Sequence, residues 1–297
     1  MIIDVHTHPP TSKYEIPEDK IVWNDKWRPD RIVKATTSWQ DYYNSQDKAD
    51  RSIVFAIAWR PGMATPSASE ANLGETDWSK GNINDSVAAF VASKPDKLIG
   101  FMALHPHDPE CIDELERCRT ELGMRGIKLG ANYQNFDPFD SRSLAIYDYA
   151  QRYNLPIMFH QGTSPVRTAP IQLSYPLLMD EIAIRYPDLK IIMAHVGHPW
   201  QVETCVVIRK HPNVYADVSA NFYRPFSLWE QLVKASEWNV LDKLMFGTDF
   251  PVTTVEETIN GLRNVNKIVE GTNLPRIPEE KIEEIIHRDS LALLGLD

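Results

Sequence analysis

The chain has 297 residues, 43% of them hydrophobic and 24% charged, which suits one large α/β domain or two small ones with an ample core; with no repeat, low-complexity segment or linker, one domain spanning residues 1–297 is the reading. Its formal charge of −10 argues against nucleic acid or an anionic membrane as the main partner. No stretch approaches the roughly 18 apolar residues of a membrane span, and the N-terminus lacks a basic region leading into an apolar segment, so a cytoplasmic protein is expected.

The first predicted strand, Ile2–His6, runs into Asp4-Val5-His6-Thr7-His8. Residues i and i+2 of a strand share a face, so both imidazoles should project together from the strand's C-terminal end. Nitrogen ligands about 2 Å from a shared divalent cation need that arrangement. The stretch from Pro9 to about Arg51 is too long for a simple βα loop and reads as a lid or binding element. A helix is expected in it near Pro29–Ser45, with Trp23, Trp27 and Trp39 available to cover a pocket. The second strand, Ser52–Trp59, is followed by another long stretch, Arg60 to Gly81. The third, Leu98–Leu104, precedes a second His-x-His, His105-Pro106-His107. Pro106 breaks the strand there, so these two rings need not share a face; His105 is the weaker pocket candidate and His107 reads as loop surface.

Five further strands are predicted at Gly126–Leu129, Pro156–His160, Lys190–His195, Val214–Val218 and Lys243–Gly247. Helical patterns fill the intervals at Asn82–Lys94, Pro109–Leu122, Ser141–Tyr153, Pro176–Tyr186, Pro199–His211, Leu228–Asn239 and Val255–Val269. Several begin with proline at or just before the first helical position, as helix starts favour. The tail from Pro278 to Leu296 reads as two short helices packed against the rest. Cys111, Cys118 and Cys205 form no C-x-x-C pair and fit small buried hydrophobes without a catalytic role. Eight β-then-α units predict an α/β fold, a single (β/α)8 TIM barrel with long loops after strands 1 and 2 and extra C-terminal helices. An open doubly wound sheet would usually carry a Gly-rich phosphate turn after its first strand, where this chain has His-Thr-His-Pro-Pro.

Catalytic groups of such barrels sit at the C-terminal strand ends. Strand one ends with His6 and His8, strand five at His160, strand six at His195 and strand eight at Asp249, while Lys128 lies near the end of strand four. A single histidine in such a place is weak evidence; the joint pattern is the signal. Three histidines and a carboxylate make a reasonable set of ligands for zinc or a similar divalent ion, with one position open for water.

The chain resembles the amidohydrolase superfamily, in the branch that includes aminocarboxymuconate-semialdehyde decarboxylase-like enzymes. The segments that carry the likeness are Asp4-Val5-His6-Thr7-His8, Met158-Phe159-His160-Gln161-Gly162, Met193-Ala194-His195-Val196-Gly197-His198-Pro199 and Phe246-Gly247-Thr248-Asp249-Phe250-Pro251. The resemblance implies metal ligation by His6, His8, His160 and Asp249. It also makes His195 the catalytic histidine that orients or deprotonates the water, with Asp249 shuttling its proton. One divalent ion is expected, zinc first, with manganese or another divalent ion as alternatives. A homodimer is the expected assembly.

Lys128 has three readings: a carboxylated lysine bridging two metals, a cation for a substrate carboxylate, or a structural ion pair. The substrate cation is preferred. Groups just past the strand ends could read a small anionic substrate: Trp59 and Arg60, Asn132 and Tyr133, Arg167, His198 and Trp200, and Asn221, Tyr223 and Arg224. Arginine pairs bidentately with carboxylate and aromatic rings stack. Arg167 is the strongest of these and His198 is as well placed for a helix cap, whereas His211 and His287 read as structural. The expected reaction is metal-dependent hydrolysis of a carbonyl-type carbon in an amide, lactone or C–C bond. Non-oxidative decarboxylation of an aromatic or unsaturated acid is the alternative, and a catalytically inactive binding protein is a third reading. A fold shared by many chemistries does not choose among them.

Overall fold

A computed structural model describes residues 1–24, 31–59, 82–164 and 166–297. Among these residues eight parallel strands close into a barrel: β1 (Ile3–Thr7), β2 (Arg51–Val54), β3 (Leu98–Gly100 continuing as Met102–Ala103), β4 (Ile127–Leu129), β5 (Ile157–Phe159), β6 (Ile191–Met193), β7 (Val214–Asp217) and β8 (Leu244–Met245). The first half of β3 pairs with β2 and the second half with β4, and Phe101 between them donates its N–H to Val54 O at 2.9 Å. The ring closes where Val5 N donates to Phe246 O (3.0 Å) and Asp249 N to His6 O (2.8 Å).

Alternation along these strands sorts their side chains into two layers. Ile3, Val5, Ile53, Phe55, Ile99, Phe101, Met158, Ile192, Tyr215 and Met245 fill the barrel interior. Their neighbours, such as Val54, Ile127, Leu129, Ile157, Phe159, Ile191, Met193, Val214 and Phe246, pack outward against the helices. The short C-terminal helix Ser290–Leu294 adds Leu291, Leu294 and Leu296 to the interior layer, so it plugs the barrel at the end opposite the histidines.

Several outer helices start where the sequence offers a side-chain acceptor for their free N–H groups. Asn82 caps Ile83–Val91, Asp140 caps Ser141–Arg152, and Thr254 with Glu257 forms a capping box on Val255–Arg263. The helix expected near Pro29–Ser45 is shorter, Trp39–Ser45, because the Ser38–Asp41 capping box fixes its start. Ahead of it lies a two-stranded antiparallel ladder, Trp23–Asn24 with Val33–Lys34. Trp39 packs on Phe90 (ring centroids 5.2 Å apart) against the outside of the barrel, and Trp23 is exposed. Trp27, Arg60 and the long segment after strand two, residues 60–81, lie outside the described residues. Among those described, no helix is long and apolar enough to cross a membrane.

Candidate metal centre

On the inward parity of Ile3 and Val5, His6 should point away from the barrel axis. A register shift in β1 between Asp4 and Thr7 reverses the alternation, so His6 turns in while Thr7 turns out to bond Tyr42 Oη (2.8 Å). Such a bulge re-aims a side chain at a barrel rim. Behind it, the buried Asp4 carboxylate accepts from His6 N (3.1 Å), Thr248 N (3.0 Å) and Thr248 Oγ1 (2.6 Å), clasping strand one to strand eight. Burial pushes the Asp4 carboxyl up to about 6 against the pull of these hydrogen bonds.

The predicted groups converge at the mouth. Asp249 Oδ1 lies 3.4 Å from His6 Nε2 and 3.1 Å from His8 Nε2. The His195 ring is 4.8 Å from that of His6 and 5.1 Å from that of His160, centroid to centroid. His6, His195 and Asp249 each offer a ligand atom within 4.8 Å of one another. All are buried or half-buried, and His8, with a quarter of its side chain exposed, opens towards solvent.

Hydrogen bonds on the far side of each ring assign its tautomer. His6 Nδ1–H donates to Asp217 Oδ2 (2.9 Å) and His8 Nδ1–H to Phe55 O (3.1 Å), leaving both Nε2 lone pairs turned on Asp249. His195 Nδ1–H donates to Ser219 Oγ (2.8 Å), which donates in turn to Asp217 Oδ1. Two imidazole lone pairs facing one carboxylate oxygen repel unless a cation or proton lies among them. His6 Nε2 is buried and makes no hydrogen bond among the described residues. These donors therefore fit a divalent cation, and Asp217 is the outer carboxylate that such histidine ligands use. His160 differs, because its Nε2–H donates to Thr163 O (3.1 Å), so only Nδ1 keeps a lone pair.

Charge follows the same geometry. Burial raises the Asp249 carboxyl, but the His6 and His8 imidazoles against its Oδ1 hold it well below the carboxylate range. Burial, with the Lys128 charge nearby, brings His195 down to about 3, outweighing Asp249 and Asp217, so it is neutral at neutral pH. Burial likewise lowers Lys128 to about 8 against the pull of Asp217 and Asp249.

Strain is concentrated at these strand ends. His195 (φ 58°), Val196 (φ 47°), Ala220 (φ 55°) and Asp249 (φ 61°) all adopt left-handed backbone, at a cost of order 1–3 kcal/mol each. Gly162 (φ 87°) follows the same rule after β5, and a Cβ there would lie 2.8 Å from Gly197 C, so the loops after β5 and β6 interlock.

The remaining expectations divide. Lys128 is the inward residue of β4, only 1% exposed, with Nζ 4.4 Å from the centre of the Phe55 ring. It forms no structural ion pair among the described residues. Tyr133 packs on His160 (centroids 4.3 Å apart), and Asn221 Nδ2 donates to His195 O (3.2 Å). His198 is half-buried beside Gln201 Nε2 (3.2 Å) at a helix start, and Trp59 is half-buried where β2 leads towards the mouth. Tyr223 packs with Val33, Ala220 and Val252, with the Arg224 guanidinium 4.7 Å from its ring centre. Arg167 is exposed on the loop after β5. His105 is buried and bonded to Gln134 O (2.9 Å), His211 bonds Asp180 (2.7 Å) on the outer face, and all three cysteines are buried in helices. Asp217 and Ser219, which hold the His6 and His195 rings, are the residues of this cluster that the sequence reading missed. The signal was an acid at the inward parity of an otherwise apolar strand, Val214-Tyr215-Ala216-Asp217.

Known proteins resemble this chain in sequence and in fold. Two relatives are a gamma-resorcylate decarboxylase from Rhodococcus jostii (23% identical; 72% of this chain and 75% of that protein covered) and a 2-amino-3-carboxymuconate-6-semialdehyde decarboxylase from Dictyostelium discoideum (24% identical; 72% and 66% covered). An uncharacterised TIM-barrel protein from Bordetella bronchiseptica superposes with a TM-score of 0.70 at 20% identity, covering 99% of this chain and 98% of its own. A dihydroxybenzoic acid decarboxylase from Polaromonas sp. JS666, solved with manganese and 2-nitroresorcinol, gives 0.64 at 19% identity, with 99% and 97% covered. The sequence model of the amidohydrolase family matches residues 3–296, nearly the whole length, and on that match the chain belongs to the amidohydrolase family.

Proposed function

We propose that this protein is a divalent-metal-dependent decarboxylase of a small aromatic or unsaturated carboxylic acid. The observation that favours this reaction over hydrolysis is that both relatives named above are decarboxylases. Hydrolysis, the first expectation from the sequence, would draw on the same cluster of residues.

In this reading His6, His8, Asp249 and, through Nδ1, His160 hold the ion. Imidazole and carboxylate suit zinc and manganese alike, and manganese gains weight from the Polaromonas neighbour. When bound, the cation would draw electron density from the substrate carboxylate and an adjacent oxygen while fixing both. The bond between ring carbon and carboxylate breaks, its electron pair stays on carbon, and a proton takes the place of carbon dioxide. Asp249 is anionic at neutral pH and touches His6 and His8 through Oδ1. Its Oδ2 takes the proton of a substrate hydroxyl and returns it to carbon. His195, neutral and anchored by Ser219, turns the Nε2 lone pair to the cluster and orients that hydroxyl. Lys128 lies among these groups, and Trp59, Arg167, His198, Tyr223 and Arg224 offer rim contacts to the rest of the anion.

Release of carbon dioxide by metal-loaded protein from a panel of 2-hydroxybenzoates tests the reading. Release that a chelator abolishes and manganese or zinc restores is expected. No release from any member, together with turnover of a lactone or amide, would reject it.

A further inference from the structure

Lys128 presents three N–H donors inside the barrel, and none makes a hydrogen bond among the described residues. A desolvated ammonium in that state is costly, and the Phe55 ring face offsets only part of the cost. The nearby carboxylates are engaged: Asp217 with His6, Ser219 and the His195 N–H, and Asp249 with His6 and His8. A second orphan lies just past the same strand end. Asn132 is fully buried in the turn after β4, and neither atom of its amide has a hydrogen-bond partner among the described residues. Its Oδ1 falls 3.8 Å from where a Cβ on Gly130 would lie, and that point is 3.4 Å from His160 Cβ, so the amide lies beside the cluster. Two unsatisfied buried polar groups at one strand end are what a binding subsite leaves when its ligand is absent.

We propose that Lys128 and Asn132 form a subsite for an oxygen substituent that the substrate keeps, a phenolate or enolate next to the acid, and not for the carboxylate that departs. This rests on the decarboxylase reading, which supplies the reason. The carboxylate leaves as neutral carbon dioxide, so an ammonium fixed on it would lose its ion pair on the way to the transition state and slow the reaction. On a retained oxygen, charged before and after the bond breaks, the same contact persists throughout and selects for that substituent.

The test is equilibrium binding to the metal-loaded protein, by calorimetry, of 2-hydroxybenzoate and benzoate. Wild type should bind 2-hydroxybenzoate the more tightly. Lys128→Met, apolar and of similar length, should weaken 2-hydroxybenzoate about tenfold or more while leaving benzoate within about twofold. Should Lys128→Met not fold, Lys128→Gln gives the same comparison with a neutral donor. Asn132→Leu should erode the same preference by a smaller factor. Equal weakening of both acids would put Lys128 on the carboxylate and overturn the proposal, as would no change in either or a wild type that binds neither. Neither binding ratio needs turnover, so absence of carbon dioxide release would sink the decarboxylase reading while the ratios still report on Lys128.

Discussion

Replacing Asp217 by asparagine changes one atom in a fully buried side chain and should move the ring proton of His6 from Nδ1 to Nε2. Asp217 Oδ1 accepts from the backbone N–H groups of Ser219 (3.0 Å) and His195 (3.2 Å) and from Ser219 Oγ, while Oδ2 accepts from His6 Nδ1 (2.9 Å). The two backbone donors demand an oxygen, so in Asp217→Asn the amide nitrogen must take the place of Oδ2. It then donates to His6 Nδ1 and drives the ring proton to Nε2, the atom that faces Asp249. A protonated Nε2 cannot ligate a cation. The wild-type contact is charge-assisted and worth about 1.5–3 kcal/mol, and loss of such an outer partner typically weakens metal binding about 10–100-fold. Competition titrations of zinc and manganese against a chelating indicator measure this directly. Asp180→Asn is the control: that carboxylate also holds a histidine, His211 at 2.7 Å, but on the outer face, and its loss should leave metal affinity unchanged. A folded Asp217→Asn protein with affinity within about twofold of wild type would refute the tautomer argument.

Gly162→Ala should destabilise the fold by about 2–4 kcal/mol, combining a left-handed dihedral with a Cβ forced onto the backbone of Gly197 and His198. Gly123→Ala, at φ 65° with nothing within 4 Å, should cost only the dihedral part, about 1 kcal/mol; equal losses in urea titration would remove the steric half of that reasoning. Glu114 accepts from Arg117 Nε (2.7 Å), Asn84 Nδ2 (2.8 Å) and Asn82 Nδ2 (2.9 Å). Burial raises its carboxyl, but these bonds bring it down from 4.5 to about 2. A depressed carboxyl stabilises the fold above its unfolded value, and the contribution fades as pH falls from about 5 towards 2. Glu114→Gln should therefore cost about 1 kcal/mol at pH 7, after allowance for solvent screening, and nothing near pH 2. A penalty that did not shrink with falling pH would contradict that assignment.

Much of the molecule was written in the order of its residues. Inward Met158 and His160, with Ile157 and Phe159 facing outward, follow from the period of a strand, and eight such segments separated by capped helices leave a barrel as the compact solution. His6, His8, His160, His195 and Asp249 could be named in advance because chemistry in this fold gathers at one end of the strands. What the order could not decide was which way each ring nitrogen points. His6 faces the pocket only because β1 slips its register against its neighbour, and its proton sits on Nδ1 only because Asp217, 211 residues away, reaches it. The isolated charge of Lys128 is equally a property of the closed barrel, which brings two carboxylates near it and commits both to histidines. Periodicity is local and survives in any window of the chain. Tautomers and unpaired charges are set by partners that only folding brings together.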